Sequence, residues 1–316
     1  MLRIKQIIKE DFGWTDPTIT KIADEGSDRV FFRIADDCRS VILMVYDRKK
    51  TENNRYVSIQ NFLETISVNV PKILSDRHTE GYLVLEDLGD ENLFTATRGA
   101  KKEKILKLYK LAIDESIKIF SSSDQNKDIS LVTEPEFDYN LYRWEGEYFI
   151  ENYLQNHRKH DGDLSPIDDE LKNLAEILSK QEKTFIHRDF QSKNLFLKNG
   201  KIYLIDFQGL RYGLPEYDLA SLLQDPYVCL DENIIKKLLC YFEKRQNRKQ
   251  FRLIFNLCSI QRLLQALGAF SFLGLKKGKT QFLQYIQPAE TVLSRVLGEI
   301  EIFPKLEQIV HKQSSL

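Results

Sequence analysis

Three oxygen-bearing side chains, Asp189, Asn194 and Asp206, flank a predicted β-hairpin over residues 195–205. The two apolar segments of this hairpin are joined by a turn with Asn-Gly at 199–200, a dipeptide that suits the positive φ angles of a two-residue type I′ turn. A hairpin holds its two ends side by side. We therefore expect the three side chains to lie close together.

These residue types meet the needs of phosphoryl transfer from a nucleotide to a hydroxyl group. Mg²⁺ prefers hard oxygen ligands and bridges the nucleotide phosphates, which suits Asp206 and Asn194. The reaction also needs a carboxylate that orients the acceptor hydroxyl and takes its proton, which suits Asp189. The pattern suits Mg²⁺-assisted phosphoryl transfer from a nucleotide to a hydroxyl group.

The same block resembles the two catalytic motifs of the protein-kinase-like fold. His187-Arg188-Asp189 followed by Asn194 is similar to the catalytic loop H-R-D-x-x-x-x-N, and Asp206-Phe207-Gln208 is similar to D-F-G. The resemblance implies a kinase that depends on ATP and Mg²⁺. It also implies a two-lobed α+β fold, with a small mixed β-sheet N-lobe and a large, mainly helical C-lobe. In such a loop we expect His187 to be structural and to hold the loop by packing and hydrogen bonding.

The elements that must position these motifs follow from hydrophobic patterning. β-branched and aromatic residues at 30–34 and 40–46 predict an antiparallel hairpin, and a further strand is predicted at 82–85. Apolar residues at three- and four-residue steps over 52–66 predict a helix. We expect an N-lobe over 1–88 and a C-lobe over 89–316. The predicted C-lobe helices lie near 101–120, 137–155, 168–181, 231–246, 250–273 and 279–300.

The N-terminal region is similar to a nucleotide-binding lobe. Gly26 and Ser27, in the run Gly-Ser-Asp-Arg before the first strand, resemble a shortened loop whose backbone N–H groups cover phosphate oxygens. The strand at 82–85 resembles the last N-lobe strand, which runs into the hinge. There, backbone groups near Glu86 and Leu88 would hydrogen-bond adenine.

One strand departs from the kinase pattern V-A-I-K. Met44 stands where a lysine normally steadies the α- and β-phosphates, and the predicted helix at 52–66 offers no obvious Glu partner for such a lysine. Arg29 and Arg33 are the nearest cations that would substitute for it. The alternative is a pseudokinase or nucleotide-binding scaffold that has lost transfer activity. The intact catalytic loop favours substitution.

The segment after Asp206 indicates which kind of acceptor is used. Leu214-Pro215-Glu216 echoes the kinase motif A-P-E, but it comes too soon after Asp206 for an activation segment on which a peptide docks. This arrangement resembles the aminoglycoside phosphotransferase and choline kinase superfamily, whose members phosphorylate small hydroxyl-bearing molecules. The resemblance implies that Asp218 is a structural anchor that accepts hydrogen bonds from the catalytic loop.

Within that superfamily, residues 20–300 resemble most the bacterial kinases of cell-wall recycling that phosphorylate the anomeric hydroxyl of N-acetylmuramate and N-acetylglucosamine. The resemblance rests on the stretches at 143–154, 205–228 and 261–273. An aminoglycoside or a choline-like amino alcohol is the alternative acceptor. The lactyl carboxylate of N-acetylmuramate would favour an Arg in the acceptor site. The implied acceptor-binding residues are Arg143, Glu145, Glu147, Asp225, Gln261 and Arg262.

Charge and hydropathy exclude several other classes of function. The 46 basic and 47 acidic residues leave a net charge of −1, which gives no large field for nucleic acid, and no protein partner is predicted. The apolar stretch at 253–275 is interrupted by polar residues, so we expect a buried helix and no membrane span. The charged N-terminus lacks a secretion signal. We expect a cytoplasmic enzyme whose partner is a small hydroxyl acceptor.

Overall fold

The structure is a computed structural model that describes residues 2–22, 29–49, 53, 55–122 and 135–311. Its N-terminal part contains the strands β1 (Thr18–Lys21), β2 (Val30–Ala35), β3 (Ser40–Val45), β4 (Ile73–Arg77) and β5 (Tyr82–Glu86). They form one sheet in the order β1-β2-β3-β5-β4, and all of its pairings are antiparallel. The expectation of a mixed sheet is therefore wrong. Short reversals join β2 to β3 and β4 to β5, and such connections place neighbouring strands antiparallel.

The sheet is covered on both faces. Helix α1 (Leu2–Phe12) contributes to a small core on one face, and helix α2 (Tyr56–Thr65) contributes to the main core on the other. Alternate residues of a strand point to opposite faces, so Val41 and Leu43 of β3 face the α1 side while Met44 lies in the main core. The position that the kinase pattern gives to lysine is thus filled by a buried apolar side chain.

The rest of the described chain is mainly helical, as expected, and two small two-stranded antiparallel sheets interrupt it. The sheets pair β6 (Thr184–Ile186) with β9 (Arg211–Gly213) and β7 (Leu195–Lys198) with β8 (Lys201–Leu204). The helices are α3 (Leu93–Thr97), α4 (Lys102–Ser122), α5 (Tyr139–Phe149), α6 (Ser165–Ser179), α7 (Pro215–Leu223), α8 (Glu232–Glu243), α9 (Phe251–Ser271), α10 (Ile286–Ile300) and α11 (Pro304–His311).

The β7–β8 hairpin has the predicted turn. Lys198 pairs with Lys201, and the two residues between them, Asn199 and Gly200, have φ angles of 52° and 75°. Positive φ at both central positions is the requirement of a type I′ turn, which Asn-Gly meets with little strain. The hairpin therefore holds the residues on either side of it at one end, as the sequence indicates.

Helix α9 is the central element of the helical part and packs against α5, α7 and α10. It continues through a π-helical turn, Phe272–Lys276, and the whole stretch is long and apolar enough to cross a membrane. Its most apolar window is 72% buried inside the protein. The prediction of a buried core helix at this position is confirmed.

Several short elements escape the sequence prediction. All nine residues of α7 are buried, so the helix shows no alternation between apolar and polar faces. The strands β6 and β9 have three residues each, which is too short for a periodic pattern. These three elements matter because they surround the catalytic loop.

Candidate active site

The loop that carries Asp189 is anchored by a buried carboxylate. Asp218 of α7 accepts hydrogen bonds from the backbone N–H groups of His187, at 2.6 Å, and Arg188, at 2.8 Å. Arg188 has a φ of 77°, a conformation that costs energy for a residue with a side chain, so the loop depends on such an anchor. Burial raises the pKa of Asp218 to about 7, against the opposing effect of the two N–H donors.

The His187 side chain ties this loop to the segment that carries Asp206. Its ring is fully buried, and Nε2 lies 3.0 Å from the carbonyl oxygen of Ile205, while the ring meets Phe190 edge to face. Burial lowers the pKa of His187, so the ring is neutral near pH 7. Its contacts are those of a residue that holds the loop.

Asp189 combines partial exposure with nearby positive charge. Its side chain is 31% exposed, and Oδ2 lies 3.6 Å from the Arg188 guanidinium. Burial favours a higher pKa for Asp189, but the charges of Arg188 and Arg262 outweigh it and hold the pKa below its ordinary value. A Cβ atom placed on Gly209 would be 4.0 Å from Asp189 Oδ2, so the segment after Asp206 lies against the Asp189 carboxylate. Asp189 is therefore ionised at neutral pH and able to accept a proton.

Asn194 closes the loop onto Asp189. Its side-chain amide nitrogen donates to the Asp189 backbone carbonyl oxygen at 2.9 Å, and its backbone carbonyl oxygen accepts the N–H of Ile205 at 3.0 Å. The first bond fixes the side-chain amide and leaves its oxygen for another ligand, and the residue is 9% exposed. Residues 189, 194 and 205 are thus linked directly across the base of the hairpin.

Asp206 lies at the other end of the hairpin with a φ of 62°. Oδ1 accepts hydrogen bonds from Arg29, at 2.9 Å, and from Gln208, at 2.7 Å, and the side chain is 39% exposed. Over the described ranges, no group of three or more His, Cys, Asp or Glu side chains has the arrangement of a metal site. Mg²⁺ in kinases takes one or two protein ligands together with phosphates and water, so Asp206 and Asn194 fit that smaller donor set.

The two predicted phosphate-binding arginines have different positions. Arg29 contacts Asp206 and is 8% exposed, which places its guanidinium at the end of the β7–β8 hairpin. Arg33 instead donates to both carboxylate oxygens of Asp87, at 2.7 and 3.0 Å, and to Asp90 at 2.7 Å. The expectation that Arg33 replaces the strand lysine is wrong, because its donors hold the segment after β5. Gly26 and Ser27 lie outside the described residues.

The predicted hinge is partly occupied by the chain itself. Lys198 of β7 donates to the Glu86 carboxylate and to the Asp87 carbonyl oxygen, both at 2.7 Å. The Glu86 N–H donates to the Lys72 carbonyl oxygen at 2.8 Å. The Glu86 N–H is therefore used within the sheet, and the contact of the other backbone groups near Glu86 and Leu88 with adenine stays a prediction. Leu88 is 8% exposed, and its backbone remains the candidate for a base contact.

A cavity of about 170 Å³ opens beside Asp189 and is bounded on its far side by α9. Arg262 of α9 lines it and is half-buried. Its guanidinium donates to Ser221 Oγ at 3.0 Å, to Gln191 Oε1 at 3.4 Å and to Gln265 Oε1. All three partners are neutral oxygen atoms, so the cavity that Asp189 lines retains a positive charge on its wall.

Comparison with known proteins now decides the family. Residues 18–238, most of the chain, match the phosphotransferase enzyme family. The chain belongs to this family. It is an enzyme, and the expected class, a small-molecule kinase, is confirmed.

The curated relatives of this phosphotransferase include two enzymes named N-acetylmuramate/N-acetylglucosamine kinase. The chain is 27% identical to the one from Neisseria meningitidis serogroup B over 309 residues, which cover 93% of this chain and 90% of that protein. It is 24% identical to the one from Pseudomonas aeruginosa over 303 residues, which cover 90% and 87%.

Solved structures share the fold of this phosphotransferase at low sequence identity. The gentamicin–APH(2")-IIa complex has a TM-score of 0.64 at 14% identity, covering 92% of this chain and 95% of that one. Choline kinase LicA from Streptococcus pneumoniae has a TM-score of 0.63 at 16% identity, covering 93% and 99%. The two-lobed, kinase-like fold predicted from the catalytic motifs is confirmed.

The phosphotransferase does not bring all six predicted acceptor residues into the cavity. Arg143, whose side chain is 11% exposed, pairs with the exposed Glu147 at 3.2 Å and with Asp168 at 2.6 Å. Glu145 is fully buried and accepts hydrogen bonds from Tyr217 and Gln261, both at 2.9 Å. Arg143, Glu145, Glu147 and Gln261 are not among the residues that line this cavity, and their contact with an acceptor stays a prediction.

Asp225 does line the cavity, but both of its carboxylate oxygens are in use. Oδ2 accepts the Ser192 N–H at 2.9 Å and the Ser192 hydroxyl at 2.5 Å, and Oδ1 accepts the Tyr227 N–H at 2.9 Å. Burial raises the pKa of Asp225, while these donors oppose the shift. Asp225 is thus placed to hold the loop between Asp189 and Asn194.

The structure adds residues that the sequence analysis did not select. Gln191 and Tyr227 line the cavity, and the Lys193 ammonium lies over the Tyr227 ring. Gln191 and Lys193 stand inside the catalytic-loop motif, and that position was the available signal. Ser221, Gln224 and Gln265 also line the cavity, on faces of α7 and α9 that only tertiary packing defines.

Proposed function

We propose that this phosphotransferase uses ATP and Mg²⁺ to phosphorylate the anomeric hydroxyl of an amino sugar, N-acetylmuramate or N-acetylglucosamine. The observation that carries the proposal is the cavity in which Asp189 faces Arg262. The names of the two curated relatives, which the chain matches over nearly its full length, support the choice of acceptor.

The proposed nucleotide site is built from both lobes. ADP and AMP-PNP are bound in aminoglycoside phosphotransferases of the same fold, which supports ATP as the donor. Asp206 and Asn194 would hold Mg²⁺, which neutralises phosphate charge when it is bound. Arg29 would supply the charge that a strand lysine supplies elsewhere, and backbone groups at Gly26, Ser27 and Leu88 would contact the phosphates and the base.

The catalytic role falls to Asp189. Its ionised carboxylate would orient the acceptor hydroxyl and take its proton as the hydroxyl oxygen bonds to the transferred phosphorus and the bond from that phosphorus to ADP breaks. Asp218 and His187 would keep the loop in the conformation that exposes this carboxylate. Asp225 would act in the same way through Ser192.

The charges of the cavity support an uncharged or anionic acceptor. Arg262 has neutral partners, so its charge is available to a carboxylate such as the lactyl group of N-acetylmuramate. The acidic residues of the cavity are Asp189 and Asp225, and hydrogen bonds within the chain already occupy Asp225. Aminoglycosides and amino alcohols are cationic and need a denser acidic wall.

Two further features belong to the proposal. We place the lobe boundary between residues 88 and 89, where Lys198 of the catalytic hairpin contacts the end of the N-lobe sheet. We place the enzyme in the cytoplasm, where ATP and recycled sugars meet.

The proposed function is tested by measuring ADP release with four acceptors side by side: N-acetylglucosamine, N-acetylmuramate, kanamycin and choline. We expect turnover with one or both sugars, and we expect ³¹P NMR to locate the phosphate on the anomeric oxygen. Turnover with kanamycin or choline alone would overturn the acceptor assignment. Mg²⁺-dependent ATP binding without turnover on any of the four would instead favour the nucleotide-binding scaffold.

A further inference from the structure

A lysine of the catalytic loop occupies a corner formed by two tyrosine rings. The Lys193 ammonium lies 4.1 Å from the ring centroid of Tyr227 and 5.4 Å from that of Tyr285. The two rings are 4.5 Å apart and inclined at 83°, so they form two nearly perpendicular walls. Phe270 packs against both rings at 5.6 and 5.7 Å and fixes the corner from behind.

This corner adjoins the cavity beside Asp189. Tyr227 and Phe270 line the cavity together with Asp189 and Arg262, whereas Lys193 and Tyr285 contact Tyr227 without being among the lining residues. The backbone of Tyr227 is held by Asp225, and Lys193 itself stands between Asp189 and Asn194 in the chain. The position of the ammonium is therefore coupled to the catalytic loop.

Two aromatic walls at right angles are the recognition element that proteins use for ammonium and quaternary ammonium groups. The negative faces of the rings attract a cation, and a desolvated site strengthens that attraction. Here the attraction is satisfied by a cation of the chain. A second cation that approached the same rings would be repelled by Lys193 and, from across the cavity, by Arg262.

We infer that Lys193 is a specificity-determining residue, whose ammonium fills the aromatic corner of Tyr227 and Tyr285 and thereby excludes cationic alcohols from the acceptor site. The inference deepens the proposed function and rests on it, because it takes the cavity beside Asp189 to be the acceptor site. Neutral and anionic sugars do not compete for the corner and remain acceptable. Removal of the Lys193 charge should open the corner to a quaternary ammonium group.

The test is a binding titration with tetramethylammonium and choline, in which NMR line broadening of the ligand methyl signals measures the affinity. Lys193→Met keeps the length of the side chain and removes its charge. We expect the affinity of this variant for both cations to exceed that of the wild-type protein by about ten-fold or more. Lys193→Arg, which retains the charge, should stay at the wild-type value. The gain should disappear in the double variant Lys193→Met, Tyr227→Leu.

A matched control is Lys277→Met, since the Lys277 ammonium lies 5.6 Å from the ring of Phe272, which is neither of the two corner tyrosines. It should leave cation binding unchanged. Lys193→Gln serves as a second neutral variant if the methionine variant has a lowered melting temperature. Equal cation affinity in the wild-type protein and in both folded neutral variants would overturn the inference.

The titration needs no turnover, so the inference and the proposed function fail in different ways. A gain of cation binding in Lys193→Met supports the corner as a filled cation site even if the wild-type protein phosphorylates neither sugar. Sugar phosphorylation by the wild-type protein without that gain upholds the proposed function and overturns the role given to Lys193.

Discussion

Arg29 and Asp206 are joined by an ion pair of 2.9 Å between a guanidinium nitrogen and Oδ1. The contact links the start of β2 to the end of the catalytic hairpin, and the Arg29 side chain is 9% exposed. Met44 has an uncharged side chain and is buried in an apolar core, so it does not supply the charge that the kinase pattern places on that strand. Arg29 brings a cation to the same centre from a different strand.

Arg29→Met should weaken ATP binding by about ten-fold, because a charge-assisted contact to phosphate is lost. Adenosine, which carries no phosphate, should bind equally to the variant and the wild-type protein. Calorimetric titration of both ligands measures the difference. Arg39→Met is the matched control, since Arg39 pairs with Asp36 on an exposed turn. Equal losses for adenosine and ATP would contradict the assignment of Arg29 to the phosphates.

Ser192→Ala removes the hydroxyl that donates to Asp225 at 2.5 Å and leaves the backbone N–H bond intact. We expect a loss of about 1–3 kcal/mol in the free energy of unfolding, because a buried carboxylate loses a donor. We also expect kcat to fall several-fold, since Ser192 lies between Asp189 and Asn194. Ser192→Thr retains the hydroxyl and serves as the control. Unchanged unfolding and unchanged kcat in the alanine variant would rule out this role for the Ser192–Asp225 pair.

Asp218 should give the folded protein a distinctive dependence of stability on pH. Its pKa is raised to about 7, so between about pH 4 and 7 the folded state holds a proton that the unfolded state releases. Stability from this group is fully present at the acidic end and is lost as the pH rises through that window. Compared with Asp218→Asn, the wild-type protein should therefore lose stability from pH 4.5 to 8. Urea unfolding of both proteins at pH 4.5 and 8 measures this loss of stability. A difference between the two proteins that does not change with pH would contradict the prediction.

Arg262→Gln should shift the acid limb of the kcat/KM profile to higher pH. The Arg262 charge helps to hold the pKa of Asp189 below its ordinary value, so its removal raises the pH at which Asp189 takes up a proton. Arg262→Lys keeps the charge and should retain most of the wild-type profile. The pH profile of both variants, measured with the same acceptor, checks the point. An acid limb that stays in place in Arg262→Gln would show that the two groups are not coupled.

The proximity of Asp189, Asn194 and Asp206 could be predicted because its information is local. Asp189, Asn194 and Asp206 lie within one short segment, and the Asn-Gly turn between them dictates that its ends meet. A two-residue turn has few solutions, so the sequence specifies the geometry almost completely. The strands β2, β3 and β5 were predicted for a similar reason, since each shows its pattern within a few residues.

The acceptor residues could not be predicted in the same way because their directions depend on tertiary packing. Arg143 and Glu147 are four residues apart and pair on one face of α5, whereas Glu145 between them lies on another face. Glu145 turns inward to Tyr217 and Gln261, partners far along the chain. Nothing in the local pattern separates this buried carboxylate from one that faces a ligand.

Arg33 and Lys193 show the same limit for charged residues near the site. Arg33 lies close to Arg29 in sequence, yet its carboxylate partners Asp87 and Asp90 belong to the segment after β5. Lys193 meets Tyr285, a residue of the helical part far along the chain. Each contact is decided by which distant element packs nearby, and a single sequence does not carry that information.

The most direct test of the account is Asp189→Asn, which preserves the shape of the side chain and removes its ability to accept a proton. We predict that kcat for phosphate transfer to the best sugar acceptor falls by about a hundred-fold or more, while the affinity for ATP with Mg²⁺ stays at the wild-type value. Asp16→Asn, at a surface ion pair with Lys5, is the control and should be fully active. An Asp189→Asn enzyme with wild-type kcat would contradict the central claim.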